Sequence, residues 1–340
     1  MSKDGIIYIT IYDIIDMIGA IIMEEEILDI DGDNTPKKLT VMERYGEDMT
    51  KDVYVTNPAI AREEEIKKMV LALLIPDKSA ILVGKPGIGK TAIVEGLAYK
   101  IQNGDVPEAL KKFRIIKINV TAMLGTTTSD GNEEVKLQTL VDELKEKVNT
   151  ILFIDEIHNV IGTGSVNSSL DFANMLKPGL DRGDIKIIDA TTTDEFDHYL
   201  VRDRAFLRRF EKIEISEPTP ETTVKILVGS LPRIEKKTGV KFGYTPFVTE
   251  KIMNFLVNMT TEYKRVFETT ARFPDVTFAL VSKAFSFAIF DNSSSVGFKH
   301  IWQAVTSCQS VYPDVLKKEK EIFKQQFASY LIEENVNVNE

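Results

Sequence analysis

The sequence predicts an α/β fold, a parallel sheet sandwiched by helices and followed by an all-helical domain. Short β-branched apolar runs alternate with helical stretches as far as about residue 216. One of those runs, Ala80-Ile81-Leu82-Val83, opens directly into the glycine-rich stretch Gly84-Lys85-Pro86-Gly87-Ile88-Gly89-Lys90-Thr91. Past Pro218 the strand signal disappears. Alternating strands and helices suit a parallel sheet, because each crossover helix must pack back onto the sheet face.

The bulk numbers set the frame. With 340 residues the chain has room for two domains. Hydrophobic residues make up 43% and charged residues 28%, the proportions of an ordinary globular protein. The 42 basic and 52 acidic residues leave a net charge of −10, which works against non-specific binding to nucleic acid. A single cysteine, Cys308, excludes an internal disulfide framework and suits a reducing, cytoplasmic setting. It and three scattered histidines give no zinc-ligand spacing.

Residues 1–40 are expected to form an N-terminal arm. Segment 6–23 is strongly apolar, but Asp13 and Asp16 interrupt it and no basic region frames it. Neither a signal peptide nor a membrane span is therefore expected. Ile7, Ile11, Ile14, Ile15, Ile18 and Ile22 recur at helical spacing, as in a packed helix or in a docking arm for a partner.

Residues 41–216 are expected to form the large α/β domain. A helix runs to about Leu74, the Ala80–Val83 strand follows, and a helix over Ala92–Ile101 leaves the glycine-rich loop. Further strands are expected at 113–120, 150–155, 185–193 and 212–215, with helices over 134–147 and 169–180 between them. Residues 217–340 are expected to form the helical domain, with helical stretches over 221–291 and 299–332.

The loop from Gly84 to Thr91 fits G-x-x-x-x-G-K-[ST] at every fixed position. Its glycines let consecutive backbone N–H groups turn towards phosphate oxygens, and Lys90 adds a point charge over the outer phosphates. Thr91 supplies a hydroxyl for a magnesium ion at the start of the next helix, where the macrodipole favours an anion. The strand Ile151–Ile154 delivers Asp155 and Glu156 at its carboxyl end, where open α/β sheets keep their ligands. An acid there holds the metal, and its neighbour polarises the attacking water. Thr191 and Thr192 end the next strand and put hydroxyls near the second acid. Arg202, Arg204, Arg208 and Arg209 cluster in VRDRAFLRRF, either as a solvated basic face or as fingers presented to a neighbouring subunit.

From Met42 to Leu331 the chain resembles the first ATPase ring of the Clp ATPases, members of the AAA+ class. The strings ERYGEDMT, PAIAREEEI, GKPGIGKTAIVEGLAYKIQNGDVPEAL, ILFIDEIHNVIGTGS, ANMLKPGLDRGDIKIIDATTTDEF and FLRRF follow in the family's order. Arg272-Phe273-Pro274-Asp275 resembles the signature of the family's helical lid, and 299–331 its exit segment. The resemblance implies a hexameric ring that binds ATP with magnesium between subunits. It also implies an adenine pocket containing Ile60, phosphate contacts from Lys85, Pro86, Gly87, Ile88, Gly89, Lys90, Thr91 and Ala92, and a metal held by Thr91 and Asp155. Glu156, the sensor Thr192 and the paired fingers Arg208 and Arg209 are then the catalytic groups.

Three departures stand out. Thr128, Ser129 and Asp130 occupy the places of the family's pore tyrosine and its basic flanks, and none of them can grip a chain as an aromatic ring does. The chain stops where a two-ring relative would begin its second ring, so a single-ring variant is expected. Asp189 replaces a family glycine, and Leu207 a glutamate beside the fingers. The expected function is an ATP hydrolase that remodels or unfolds protein substrates or assemblies, with one dedicated partner. The alternatives are a DNA-associated loader or transposition-type ATPase and an ATP-dependent assembly switch.

Overall fold

The computed structural model describes residues 39–125, 133–158, 168–267 and 272–338. The arm before Leu39 and the pore-loop positions Thr128, Ser129 and Asp130 lie outside the described residues.

The described chain opens with α1 (Val41–Tyr45), whose Thr40 hydroxyl and Glu43 carboxylate cap each other's backbone N–H groups. Next come β1 (Gly46–Asp48), α2 (Glu63–Leu74), β2 (Ser79–Val83), α3 (Lys90–Gln102) and β3 (Arg114–Ile118). Then follow α4 (Val120–Gly125), α5 (Glu133–Glu146), β4 (Thr150–Asp155), α6 (Ser168–Arg182) and β5 (Lys186–Thr191). The short α7 (Thr193–Glu195) and α8 (Arg204–Leu207) precede β6 (Phe210–Glu214).

These strands form a six-stranded sheet in the order β1-β3-β4-β5-β2-β6, parallel throughout except for β1. Side chains of a strand alternate between faces, so each buried strand feeds two cores. Ala80, Leu82, Ile115, Phe153, Ile188 and Ile213 pack beneath α2 and α3. Ile81, Val83, Ile116, Leu152, Ile154 and Ile187 pack against α5 and α6 on the other side. That double burial is why these strands read as unbroken apolar runs. The chain leaves β2 for β3 on one side of the sheet and returns through β4 and β5, which places the carboxyl end of β2 at a topological switch point.

β1 is absent from the sequence-based expectation. Its three residues, Gly46-Glu47-Asp48, carry no apolar pattern, and they join the sheet as an antiparallel edge opposite Ile116–Ile118. A short charged strand is what a sheet edge tolerates.

Beyond β6 the described residues are helical: α9 (Pro220–Thr238), α10 (Pro246–Met259), α11 (Asp275–Phe290), α12 (Phe298–Thr306), α13 (Pro313–Gln326) and α14 (Ala328–Glu333). Pro220 opens α9 behind a Thr219 cap, and Gly239 at φ 74° closes it. Aromatic rings fix this core. Phe323 lies 5.1 Å from Phe255 and 4.8 Å from Phe327, centroid to centroid, and Phe298 lies 5.2 Å from Phe327.

Candidate nucleotide site

The glycine-rich loop leaves β2 at its carboxyl end and returns as the first turn of α3. Gly87 and Gly89 adopt φ of 73° and 93°, a left-handed backbone that side chains disfavour, and Gly89 is the N-cap of α3. The Lys90 ammonium folds back over the loop and donates to the carbonyls of Gly84 at 2.9 Å and Lys85 at 3.0 Å. Burial lowers the Lys90 pKa, against the opposing pull of Asp155, Glu195, Glu156 and Asp189. Ile88 turns its side chain into the core, while Lys85 is exposed and contributes its backbone.

Arg62 is a further member of the site, missed in the sequence. Its buried guanidinium donates to the Ile88 carbonyl at 2.9 Å, to Glu65 at 2.8 Å and to the Ser216 carbonyl at 3.3 Å. One signal could have revealed it. Arg62 is the N-cap of α2, where a cation opposes the helix macrodipole unless it is engaged elsewhere.

β4 brings up the acids. Asp155 accepts the Thr91 hydroxyl at 3.2 Å and pairs with Lys117 at 3.3 Å. Glu156 is exposed and adopts φ 65°, held by its N–H donating to the Ala190 carbonyl at 2.8 Å. Beside it, β5 ends at Thr191, and Thr192 caps α7. Asp189, one strand over, is fully buried. Its Oδ1 accepts the Ile157 N–H at 3.1 Å, and its Oδ2 has no hydrogen-bond partner among the described residues. Burial pushes the Asp189 carboxyl well above the usual carboxylate range, against hydrogen bonds from Ile157 and Ala190.

Arg62, Lys90, Thr91, the two acids Asp155 and Glu156, and Thr191 and Thr192 border one cleft of about 540 Å³ between the sheet's carboxyl edge and the helical region, whereas Asp189 and Lys85 do not. Of the residues expected in the site, Ile60, Pro86, Gly87, Ile88, Gly89, Thr91 and Ala92 line it. So do Lys90, Asp155, Glu156 and Thr192. The helical region supplies Ile226, Ser230, Arg233, Asp275 and Phe278. Two glycines allow that approach. A Cβ on Gly229 would fall 2.6 Å from Ile60 Cδ1, and one on Gly87 would fall 2.9 Å from Asp275 Cβ.

Arg208 and Arg209 do not border this cleft. The carbonyl of Arg209 accepts the Ser79 N–H at 2.8 Å, at the amino end of β2, whereas the phosphate loop leaves the carboxyl end. About 13 Å of strand separates the two ends. The pair also divides in environment. Arg208 is two-thirds exposed and only 3.8 Å from Asp181, whereas Arg209 is buried against Asp181 and the Ala205 carbonyl.

A glycine-rich phosphate loop between a central parallel strand and a helix, two acids on a neighbouring strand end and a cleft roofed by helices define a nucleotide-binding P-loop domain. Residues 80–216 match the family "ATPase family associated with various cellular activities (AAA)". The chaperone protein ClpB of Aquifex aeolicus is 43% identical over 220 residues, covering 64% of this chain and 21% of the relative. A probable ATP-dependent Clp protease ATP-binding subunit of Chlamydia pneumoniae is 36% identical over 235 residues, 68% of this chain and 27% of the relative. The chain thus spans only about a quarter of the length of these curated relatives. Among solved structures, Hsp104 with ATPγS and FITC-casein superposes with a TM-score of 0.68 at 31% identity, over 85% of this chain and 49% of that one. The Saccharomyces cerevisiae Hsp104–ADP complex gives 0.67 at 31% identity, over the same shares. Residues 80–216 are an ATPase domain of the AAA family, and the chain resembles the first ATPase domain of the Clp ATPases. No helix among the described residues is long and apolar enough to cross a membrane.

Proposed function

We propose that this chain binds ATP with magnesium at the subunit borders of a homo-oligomeric ring, a hexamer as the resemblance implies, and uses hydrolysis to remodel protein substrates in the cytoplasm. The proposed division is an N-terminal arm over 1–40, the ATPase domain over 41–216 and a helical lid over 217–340. One observation carries the ring reading. The phosphate loop and the acids share a cleft, while Arg208 sits exposed at the opposite end of β2, where it can serve only another subunit's nucleotide. The match to Hsp104 bound to casein supports a protein substrate.

The residues divide the chemistry. Loop N–H groups and Lys90 bind the phosphates, and Ile60 packs beside the base. The Thr91 hydroxyl and Asp155 carboxylate, 3.2 Å apart, are the hard oxygen donors that magnesium requires. When bound, the ion would neutralise charge on the outer phosphate oxygens. Glu156 takes the proton of the attacking water, and Thr192 orients that water.

The test is steady-state ATP turnover of the full chain, with and without an unfolded model polypeptide. Glu156→Gln should bind ATP but turn over at least ~100-fold slower, as loss of a positioned base implies. Stimulation by the polypeptide would mark a general unfoldase. Basal turnover without stimulation would mark a remodeller with a dedicated partner, the outcome the Ser129 substitution favours. Retained turnover in Glu156→Gln would overturn the assignment of the base.

A further inference from the structure

The proposed base and the proposed sensor lie on separate turns. Glu156-Ile157-His158 follows β4, and Thr191-Thr192 closes β5. One carboxylate touches both turns. Glu195 Oε2 accepts the Thr192 N–H at 2.9 Å and the Thr191 hydroxyl at 3.3 Å, and lies 3.4 Å from the buried Nδ1 of His158. The last is an electrostatic contact and not a hydrogen bond, since that nitrogen has no hydrogen-bond partner among the described residues. In return the Thr192 hydroxyl accepts the Glu195 N–H at 3.3 Å. His158 is buried, and its ring stacks on Tyr199 at 5.8 Å with the planes 17° apart, which fixes the imidazole from its other side. Burial raises the Glu195 pKa, but hydrogen bonds from Thr192 and Thr191 and the nearby His158 outweigh it, so the carboxylate stays an acceptor.

A helix cap explains only part of this. Thr192 and Glu195 form a reciprocal capping box on α7. That helix is three residues long and passes straight into a π-turn over Phe196–Leu200, so it has little length for a cap to stabilise. Capping does not require Oε2 to meet the Thr191 hydroxyl or to face His158. Those extra contacts join the two turns that border the cleft.

We propose that Glu195 is a positioning residue that couples the Thr192 turn to the Glu156 turn through His158. The proposal rests on the ATPase reading above. Thr192 meets the outer phosphate end of the nucleotide, and its amide and hydroxyl are both bonded to Glu195. A shift of Thr192 is therefore passed to the carboxylate and on to His158, two residues from Glu156. Glu156 holds φ 65°, a conformation that persists only while its surroundings enforce it. A small displacement of His158 therefore re-aims the base.

The experiment measures kcat and KM for ATP, with thermal midpoints, for the full chain carrying Glu195→Ala, Glu195→Gln, His158→Phe and the paired changes. Glu195→Ala should lower kcat by roughly 10-fold or more with KM little changed, since misplacement by about 1 Å can cost up to 10²-fold. Glu195→Gln keeps the acceptor and should recover most of that loss. His158→Phe keeps the stacking on Tyr199 but removes the Nδ1 that faces the carboxylate. Combined with Glu195→Ala it should be no slower than the slower single change, because the two act in one chain of contacts. Should Glu195→Ala fail to fold, the same cycle is run with Glu195→Asp, whose shorter side chain draws the carboxylate back from Thr191 and His158. A merely capping Glu195 would lower the thermal midpoint and leave kcat per folded chain unchanged, and additive losses would equally overturn the coupling. Glu156→Gln is measured in parallel. Absence of ATP turnover in the parent chain overturns the ATPase reading itself, and full turnover in Glu156→Gln overturns the base on which the coupling acts. Loss in Glu156→Gln with unchanged kcat in Glu195→Ala overturns only the coupling.

Discussion

The guanidinium of Arg62 donates to the carbonyl of Ile88 at 2.9 Å, in the middle of the phosphate loop. The same group reaches Ser216, where the chain leaves the sheet for the helical region, at 3.3 Å. Arg265, from the helical region, holds the next residue, Glu217, at 3.0 Å. The connector is thus gripped at adjacent positions by two buried arginines, one of which also holds the loop.

Arg62→Ala should therefore weaken ATP binding and lower stability together. Loss of charged hydrogen bonds by a buried arginine is expected to cost about 2–3 kcal/mol. Arg62→Lys should not restore the parent values, because a single ammonium cannot reproduce the planar fork. Nucleotide titration and urea unfolding of both variants check this, and an alanine chain with parent ATP affinity would count against it.

Gly229→Val should narrow the cleft at Ile60. The Ile60 Cδ1 would lie 2.6 Å from the new Cβ, closer than packing allows. Overpacking costs about 1–3 kcal/mol, which predicts a rise in the ATP dissociation constant of roughly 5- to 150-fold. Adding Ile60→Ala should return part of that affinity. Failure of the double variant to recover any would place the base elsewhere.

Asp189 predicts a pH-dependent stability. Its folded-state pKa is raised above the unfolded value of 3.8, mainly by burial. The folded chain therefore holds a proton that the unfolded chain releases. Its contribution is fully present below about pH 4 and is lost as pH rises towards the folded pKa. Asp189→Asn keeps an acceptor for the Ile157 N–H without that ionisation. Its stability relative to the parent should grow as pH rises from 4. Urea midpoints of the two chains that run parallel over pH 4–8 would contradict this.

Arg208 and Arg209 should separate on mutation. Arg208→Ala should abolish ATP turnover with an unchanged thermal midpoint, because its side chain is exposed and loosely held. Arg209→Ala should lower the thermal midpoint, because its guanidinium is buried against Asp181 and Ala205. Mixing Lys90→Ala subunits with Arg208→Ala subunits should restore some turnover by pairing an intact loop with an intact finger. No recovery at any ratio would argue for catalysis within one chain.

Much of the site was legible in the sequence because its chemistry is local. Gly87, Gly89, Lys90 and Thr91 act within one turn, so their spacing alone announces a phosphate loop. Asp155 and Glu156 were legible because a buried strand must end where the acids begin. Arg62 was not, because its partners Ile88 and Ser216 lie 26 and 154 residues away. β1 escaped notice because its pairing with β3, and not an apolar pattern, makes it a strand. Asp189 was visible as a departure, but only its burial revealed the cost of its charge.

The sequence by itself determined the alternating α/β core, the phosphate loop, the two acids and the candidate arginines, since periodicity and short motifs encode local geometry. Only the tertiary structure decided which groups share a cleft and how Glu195 spans two strand ends. It also showed that Arg208 is exposed and only loosely paired with Asp181 while Arg209 is buried. Those outcomes depend on strand order and on contacts between distant segments, and the sheet sets both when it brings β4, β5 and β2 side by side.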